Sequence, residues 1–333
     1  MRVPDRLNDA IEQELSACDT AAVARASTIL TDRYKTGHFT GAALDSKPLR
    51  SAYLRVRVPA TFAANARVLR EVGERLPGAD MHSMLDLGSG PGTSMWAASS
   101  VFPGIERFTA VERDSDLLEA GRRLAYASDH SPLRSASWLR QDVNSGLAEL
   151  NPHDLVVVSY ALNELAPAAV EQLVRRAWAL TRTVLVVIEP GTPRHVQLVL
   201  AARRQLLSLG AHVVAPCPHA LDCPLAAAGD WCHFSQRLER TSEHRRLKGG
   251  SLGYEDEKFS YVAVSRTPAR LPDARLVRHP LKRPGHVQLT LCTPQGIQRP
   301  TIGKSRKLDY KRARHAEWGD AWMSTELRVP STD

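Results

Sequence analysis

One ten-residue stretch, Met84-Leu85-Asp86-Leu87-Gly88-Ser89-Gly90-Pro91-Gly92-Thr93, limits the possible folds more than any other part of the chain. It begins as a short apolar strand, passes through a turn with glycine at alternate positions, and opens a helix over Ser94 to Ser100. Gly88, Gly90 and Gly92 strip side chains from one turn, so the backbone can come close to a ligand. The helix behind the turn offers free N–H groups at its N-terminus. The spacing D-x-G-x-G-x-G differs from the G-x-G-x-x-G of dinucleotide sites, and Asp86 suits a ligand that is partly cationic. About 20 residues on, Phe108-Thr109-Ala110-Val111 reads as a second strand ending at Glu112, a carboxylate suited to two ribose hydroxyls.

Asp86 to Gly92 with Glu112 resemble motifs I and II of class I S-adenosylmethionine (SAM) methyltransferases. The resemblance implies SAM as cofactor, held by Asp86, Gly88, Gly90, Gly92 and Glu112. The rest of the core is in phase with it. Strands are expected at Ser83–Leu87, Arg107–Glu112, Ala136–Leu139, Asp154–Ser159 and Thr183–Glu189. Helices are expected at Thr93–Val101, Asp114–Tyr126, a short piece near Ser145–Leu150, and Pro167–Leu180. Continuous apolar runs such as Leu155 to Val158 and Val184 to Ile188 suit parallel strands buried on both faces. The expected fold is therefore α/β, a doubly wound Rossmann-like sheet with its ligand at the carboxyl ends of the strands.

Asp142 follows the third strand, placed either to meet the adenine amine or to cap a turn. Ser159 ends the fourth strand and joins the candidate cofactor-binding set. The loop Ser159 to Leu165 is where a methyl acceptor would sit, and Asn163 and Glu164 are the candidate catalytic residues, with turn or helix capping the alternative. The loop has no Asn/Asp-Pro-Pro-aromatic signature and no cysteine, so a cysteine-nucleophile mechanism has no support. Transfer from a sulfonium needs mainly proximity and in-line geometry.

Residues 1–80 read as a helical N-terminal region, with helices over 7–34 and roughly Ser51 to Leu76, and Pro59 a kink or break in the second. Residues 81–210 form the expected SAM-binding core, and 211–333 a third region. Apolar runs are too short to span a bilayer, and Met1 to Arg6 has no apolar h-region behind it. A cytoplasmic protein without a membrane partner is expected, with a monomer the favoured state.

The net charge of +8 is unevenly placed. Residues 233–316 hold 19 of the 44 Lys and Arg but only 7 of the 36 Asp and Glu, which leaves the remainder slightly acidic. Such a module points to a polyanion, with nucleic acid the leading partner. Its basic residues include Arg237, Arg240, Arg245, Arg246, Lys248, Lys304, Arg306, Lys307, Lys311, Arg312 and Arg314. Strands are expected at Lys258–Arg266, Arg275–Arg278 and His286–Cys292, the last two separated by a basic turn over Pro280 to Gly285.

Cys217, Cys223, Cys232 and Cys292 lie in the same third of the chain, whereas Cys18 stands apart as a core residue of the N-terminal helix. Their gaps are too open for a zinc knuckle, and two are followed by proline, as at iron–sulfur ligands. Four thiolates suit a [4Fe–4S] cluster; zinc bound by these cysteines, or with His219 or His233 replacing one, is the alternative. A shared metal would staple the basic module to the sheet.

The SAM motifs followed by Cys217-Pro218-His219, Cys223-Pro224-Leu225, Trp231-Cys232-His233-Phe234, Leu247-Lys248-Gly249-Gly250 and Tyr254 to Tyr261 resemble the Rsm22 family, over about residues 50–320. These are methyltransferase-like proteins of the mitochondrial small ribosomal subunit and their bacterial relatives. The resemblance implies that Cys217, Cys223, Cys232 and Cys292 ligate an iron–sulfur cluster. It also implies small-subunit rRNA, or the small ribosomal subunit, as partner during assembly or translation. Two functions stay open: a SAM-dependent rRNA methyltransferase, or an iron–sulfur assembly factor that binds rRNA without methylating it.

Overall fold

β1 (Ser83–Leu87) runs wholly buried through an eight-stranded sheet of a computed structural model that describes residues 2–16, 18–36, 44–145, 147, 150–239 and 254–323. β2 (Arg107–Glu112), β3 (Ser137–Arg140), β4 (His153–Ser159) and β5 (Thr181–Pro190) lie parallel to it in the order β3-β2-β1-β4-β5. Successive side chains alternate between two covered faces. Met84 and Phe108 share one core with α4 (Thr93–Val101) and α5 (Ser115–Tyr126). Leu85, Val156 and Val187 face α7 (Pro167–Ala179) and α8 (Pro193–Ser208). Between them lies a single-turn α6 (Ser131–Arg134). The doubly wound, Rossmann-like arrangement expected from the sequence is present.

The sheet does not end at β5. β6 (His212–Ala215), β7 (Phe234–Glu239) and β8 (Tyr254–Ser265) complete it, with β8 antiparallel to β5, β6 and β7. These strands follow position 210, so the sheet continues past the boundary drawn there.

Helices cap the sheet from the N-terminal side. α1 (Asp5–Leu15) and α2 (Thr20–Thr36) pack on α3 (Lys47–Arg75). α3 passes through Pro59 without a break. Proline removes one helical hydrogen bond, but Pro59 to Ala66 are all buried, and packing on every side outweighs that loss. The kink or break expected at Pro59 is therefore not a helix end.

The C-terminal module holds two small sheets. One runs β10 (Leu281–Arg283), β11 (His286–Gln288), β14 (Thr301–Gly303). The other runs β13 (Gly296–Gln298), β12 (Leu291–Thr293), β9 (Ala274–Leu276), β15 (Ala321–Trp322). The expected single strand His286–Cys292 is thus divided between two sheets. α10 (Lys307–His315) packs Ala313 into their common core with Leu276, Val287, Leu291 and Ile302. Arg275, 1% exposed, joins module to body. Its guanidinium donates to the carbonyls of Pro216 (2.7 Å) and Gly319 (2.9 Å) and to Glu71 on α3 (2.7 Å). Among the described residues, an arginine thus joins the two parts. Gly37, Gly41, Arg240, Arg245, Arg246, Lys248, the Leu247–Gly250 motif and much of the short helix near Ser145–Leu150 lie outside the described residues.

Candidate functional site

The turn after β1 is held by the neighbouring strand: the N–H groups of Gly88 and Ser89 both donate to the Val111 carbonyl, at 2.9 and 3.0 Å. Gly88 and Gly92 have φ of 72° and 76°, in the left-handed region. A Cβ on Gly88 would come within 2.8 Å of the Ala161 Cβ, and one on Gly92 within 2.7 Å of the Trp138 ring. Glycine is required there for both space and backbone conformation.

Glu112 ends β2 with its carboxylate clamped, Oε2 accepting from Gly90 N–H and Oε1 from Asp114 N–H, each at 2.8 Å. Burial raises its pKa, and the backbone donors oppose that rise without cancelling it. Asp114 then caps α5, accepting from the N–H groups of Asp116 and Leu117.

A pocket opens at this end of the sheet. Its walls include Gly88, Gly90, Glu112, Asp142, Ser159, Asn163 and Glu164 from the sequence-derived set. Gly92 and Asp86 do not line it. Asp86 is fully buried on β1. Burial and then Glu112 push its carboxyl up to about 8, against a lowering influence of Ser94.

The candidate residues have prior engagements. Asp142 Oδ1 accepts from Asn144 N–H at 2.9 Å, forming a turn. Asn163 Nδ2 donates to the Tyr160 carbonyl (3.1 Å) and to Glu189 Oε2 (2.8 Å). Glu164 pairs with Arg113 at 3.1 Å. Glu189, fully buried at the end of β5, also accepts from Leu162 N–H at 2.8 Å and so pins this loop. Tyr160 stands at φ 58°, a left-handed conformation unusual for a bulky residue. Its hydroxyl donates to Glu257, which also forms a bidentate pair with Arg57 of α3.

Other wall residues were not read from the sequence: Tyr53, Thr61 and Asn65 of α3, and Gln141. The signal for Asn65 was a polar side chain inside the apolar run Phe62-Ala63-Ala64-Asn65-Ala66. Gln141 Oε1 and Asn65 Oδ1 are buried acceptors without a hydrogen bond.

The four downstream cysteines share a second cavity. Cys217 follows β6, Cys223 precedes α9 (Pro224–Ala227), Cys232 precedes β7, and Cys292 is on β12. Together with Arg203, His219 and Arg275 they line one largely apolar space. All four are free thiols. Burial raises the pKa values of Cys217 and Cys232, and carries Cys292 to about 12, with neighbouring cysteines adding to each shift. Cys292 Sγ lies 3.6 Å from His219 Nε2. Among the described residues, no three His, Cys, Asp or Glu side chains are grouped as ligands of a single metal ion.

The profile of the family described as mitochondrial small ribosomal subunit Rsm22 matches residues 49–323. This chain belongs to the Rsm22 family. The human ribosome assembly protein METTL17, mitochondrial, is 30% identical over 294 residues, which cover 82% of this Rsm22-family chain and 62% of the human protein. The mitochondrial Rsm22-cox11 tandem protein 2 of Schizosaccharomyces pombe is 28% identical over 342 residues, covering 84% of this chain and 44% of its own length. The chain thus spans about half to three fifths of these relatives. The solved magnesium protoporphyrin IX methyltransferase of Synechocystis with bound SAM is 12% identical, with a TM-score of 0.43 and coverage of 73% and 97%. The expectation of a cytoplasmic setting is corrected by this family: its description and both relatives are mitochondrial, which points to the mitochondrion. No helix among the described residues is long and apolar enough to cross a membrane.

Proposed function

We propose that this Rsm22-family chain binds SAM at the carboxyl end of β1 and acts in assembly of the mitochondrial small ribosomal subunit, meeting rRNA through its basic C-terminal module. The observation that carries the cofactor reading is the clamped Glu112, fixed by two backbone N–H groups beside a turn with glycine at alternate positions. A carboxylate has about four lone-pair directions, so two remain for a pair of ribose hydroxyls. SAM would supply an electrophilic methyl group; the chain's part is to hold and orient it. The names of the relatives support the ribosomal setting, and the charge of the module supports an RNA partner.

The acceptor loop favours a specific version of this reading, an assembly factor that binds SAM without turnover. Both N–H groups of Asn163 and the carboxylate of Glu164 are engaged within the protein, which supports a loop-holding role over the orientation of a methyl acceptor.

The cysteine cavity supports a [4Fe–4S] cluster over zinc. Zinc draws its ligands to about 2.3 Å from one point, whereas Cys217, Cys223, Cys232 and Cys292 surround a volume. The arginines Arg203 and Arg275 beside them favour thiolates. These four thiols would hold the cluster, whose role would be structural.

Calorimetric titration with SAM tests the first claim. Binding by wild type that falls roughly tenfold in Glu112→Ala supports it; no binding by wild type overturns it. Transfer of labelled methyl groups to small-subunit rRNA would overturn the version without turnover. Iron, sulfide and zinc analysis of anaerobically purified protein tests the cluster. About four iron and four sulfide, lost in Cys217→Ser, is the expected result, and one zinc without sulfide overturns it.

A further inference from the structure

Asn65 lies in the middle of α3 with no surface exposed to solvent. Phe62, Ala63, Ala64 and Ala66 around it are equally enclosed, and an amide in such a run is costly unless hydrogen-bonded. Its two N–H groups are taken: Nδ2 donates to the Thr61 carbonyl and to the Ser159 hydroxyl, both at 2.9 Å. Those bonds settle which way the amide faces, because turning it over would set Oδ1 against the Thr61 carbonyl. Oδ1 is left as a buried acceptor with no hydrogen bond, on a residue that lines the same pocket as Gly88, Gly90 and Glu112. Such an acceptor calls for a donor.

The strand order indicates which part of a ligand supplies it. Along the carboxyl edge the walls run from Gln141 after β3, through Glu112 on β2 and Gly88 after β1, to Ser159 on β4. Three strand spacings span about 14 Å, the scale of an extended adenosyl–amino acid. With the ribose at Glu112, the purine lies toward β3 and the amino-acid arm toward β4, beside Ser159 and Asn65. Asp86, the acid suited to a partly cationic ligand, is buried outside the pocket lining. We infer that Asn65 Oδ1 accepts a hydrogen bond from the α-ammonium of the ligand's amino-acid arm, which makes α3 part of the cofactor site. The inference rests on the SAM reading and adds a positioning residue that separates the whole ligand from its nucleoside half.

The test is a pair of titrations with S-adenosylhomocysteine, which has the arm, and 5′-methylthioadenosine, which lacks it, into wild type, Asn65→Ala and Ser159→Ala. In Asn65→Ala the affinity for S-adenosylhomocysteine is expected to fall about tenfold, as for a lost bond to a charged donor, with 5′-methylthioadenosine binding held within about twofold. Ser159→Ala, which removes one of the two bonds that hold the amide in place, shifts the preference the same way by less. An unchanged preference between the two ligands in Asn65→Ala, whether both affinities hold or both fall together, overturns the role of Asn65. Wild-type protein that binds neither compound overturns the SAM reading instead.

Discussion

The Asp86 carboxyl, pushed up to about 8 by burial and then by Glu112, makes stability depend on pH. In the unfolded chain an aspartate titrates near ~3.9. Between that value and 8, the folded protein therefore retains a proton that the unfolded chain has released. The contribution of Asp86 to stability therefore falls as pH rises through this window. Glu189, also raised to about 8, chiefly by burial, acts in the same direction. Thermal melting is expected at a lower temperature at pH 8 than at pH 5.5, and Asp86→Asn should flatten part of that slope. A wild-type profile that rises with pH would contradict the assignment. Gly88→Ala belongs to the same scale: a Cβ 2.8 Å from Ala161, at φ 72°, should lower stability by about 1–3 kcal/mol. It should also abolish SAM binding, as urea denaturation and calorimetry would show. The glycines and Glu112 were legible because a turn and the strand after it form a local pattern. Asn65 and Gln141 were not, because an unpartnered acceptor exists only once its neighbours have been assembled.

Among the elements, α3 departs most from its sequence. Pro59 argues for a break that burial on all sides overrides, and the helix supplies both a pocket wall and one half of the module junction. Burial would raise the Glu71 carboxyl, but Arg275 and Arg75 outweigh it and hold it at about 2. Arg275→Ala would remove the main partner of a buried carboxylate, at a cost of about 3 kcal/mol. Arg275→Met combined with Glu71→Leu should recover much of that loss, a comparison that urea titration can make. Of the five parallel strands, β4 and β5 were readable as continuous apolar runs. β6 and β7 were not, since β6 is only four residues long and β7 keeps two of its six residues buried. His286 to Cys292 looked like one strand because nothing local marks the change of sheet at Leu289, whose N–H donates to the Pro300 carbonyl at 3.0 Å.

For the whole molecule, charge and cysteines are organised by the fold. Lys304, Lys307, Lys311 and Arg314 are exposed on and beside α10, whose opposite side buries Ala313. Affinity for small-subunit rRNA should fall steeply with salt, and Lys307→Ala with Lys311→Ala should lower the log–log slope by about one for each phosphate no longer neutralised. Filter binding over a salt series measures this; an unchanged slope would remove α10 from the RNA-facing surface. By itself, the sequence determined the glycine turn, the parallel α/β core and the excess of positive charge near the C-terminus. Each of these is written in contiguous residues, where backbone freedom, apolar periodicity and composition act locally. Only the tertiary structure decided that α3 walls the pocket, that Asp86 is buried outside its lining, and that Asn65 holds an unpartnered acceptor there. Those outcomes depend on packing between distant segments, and local pattern has no means of expressing it.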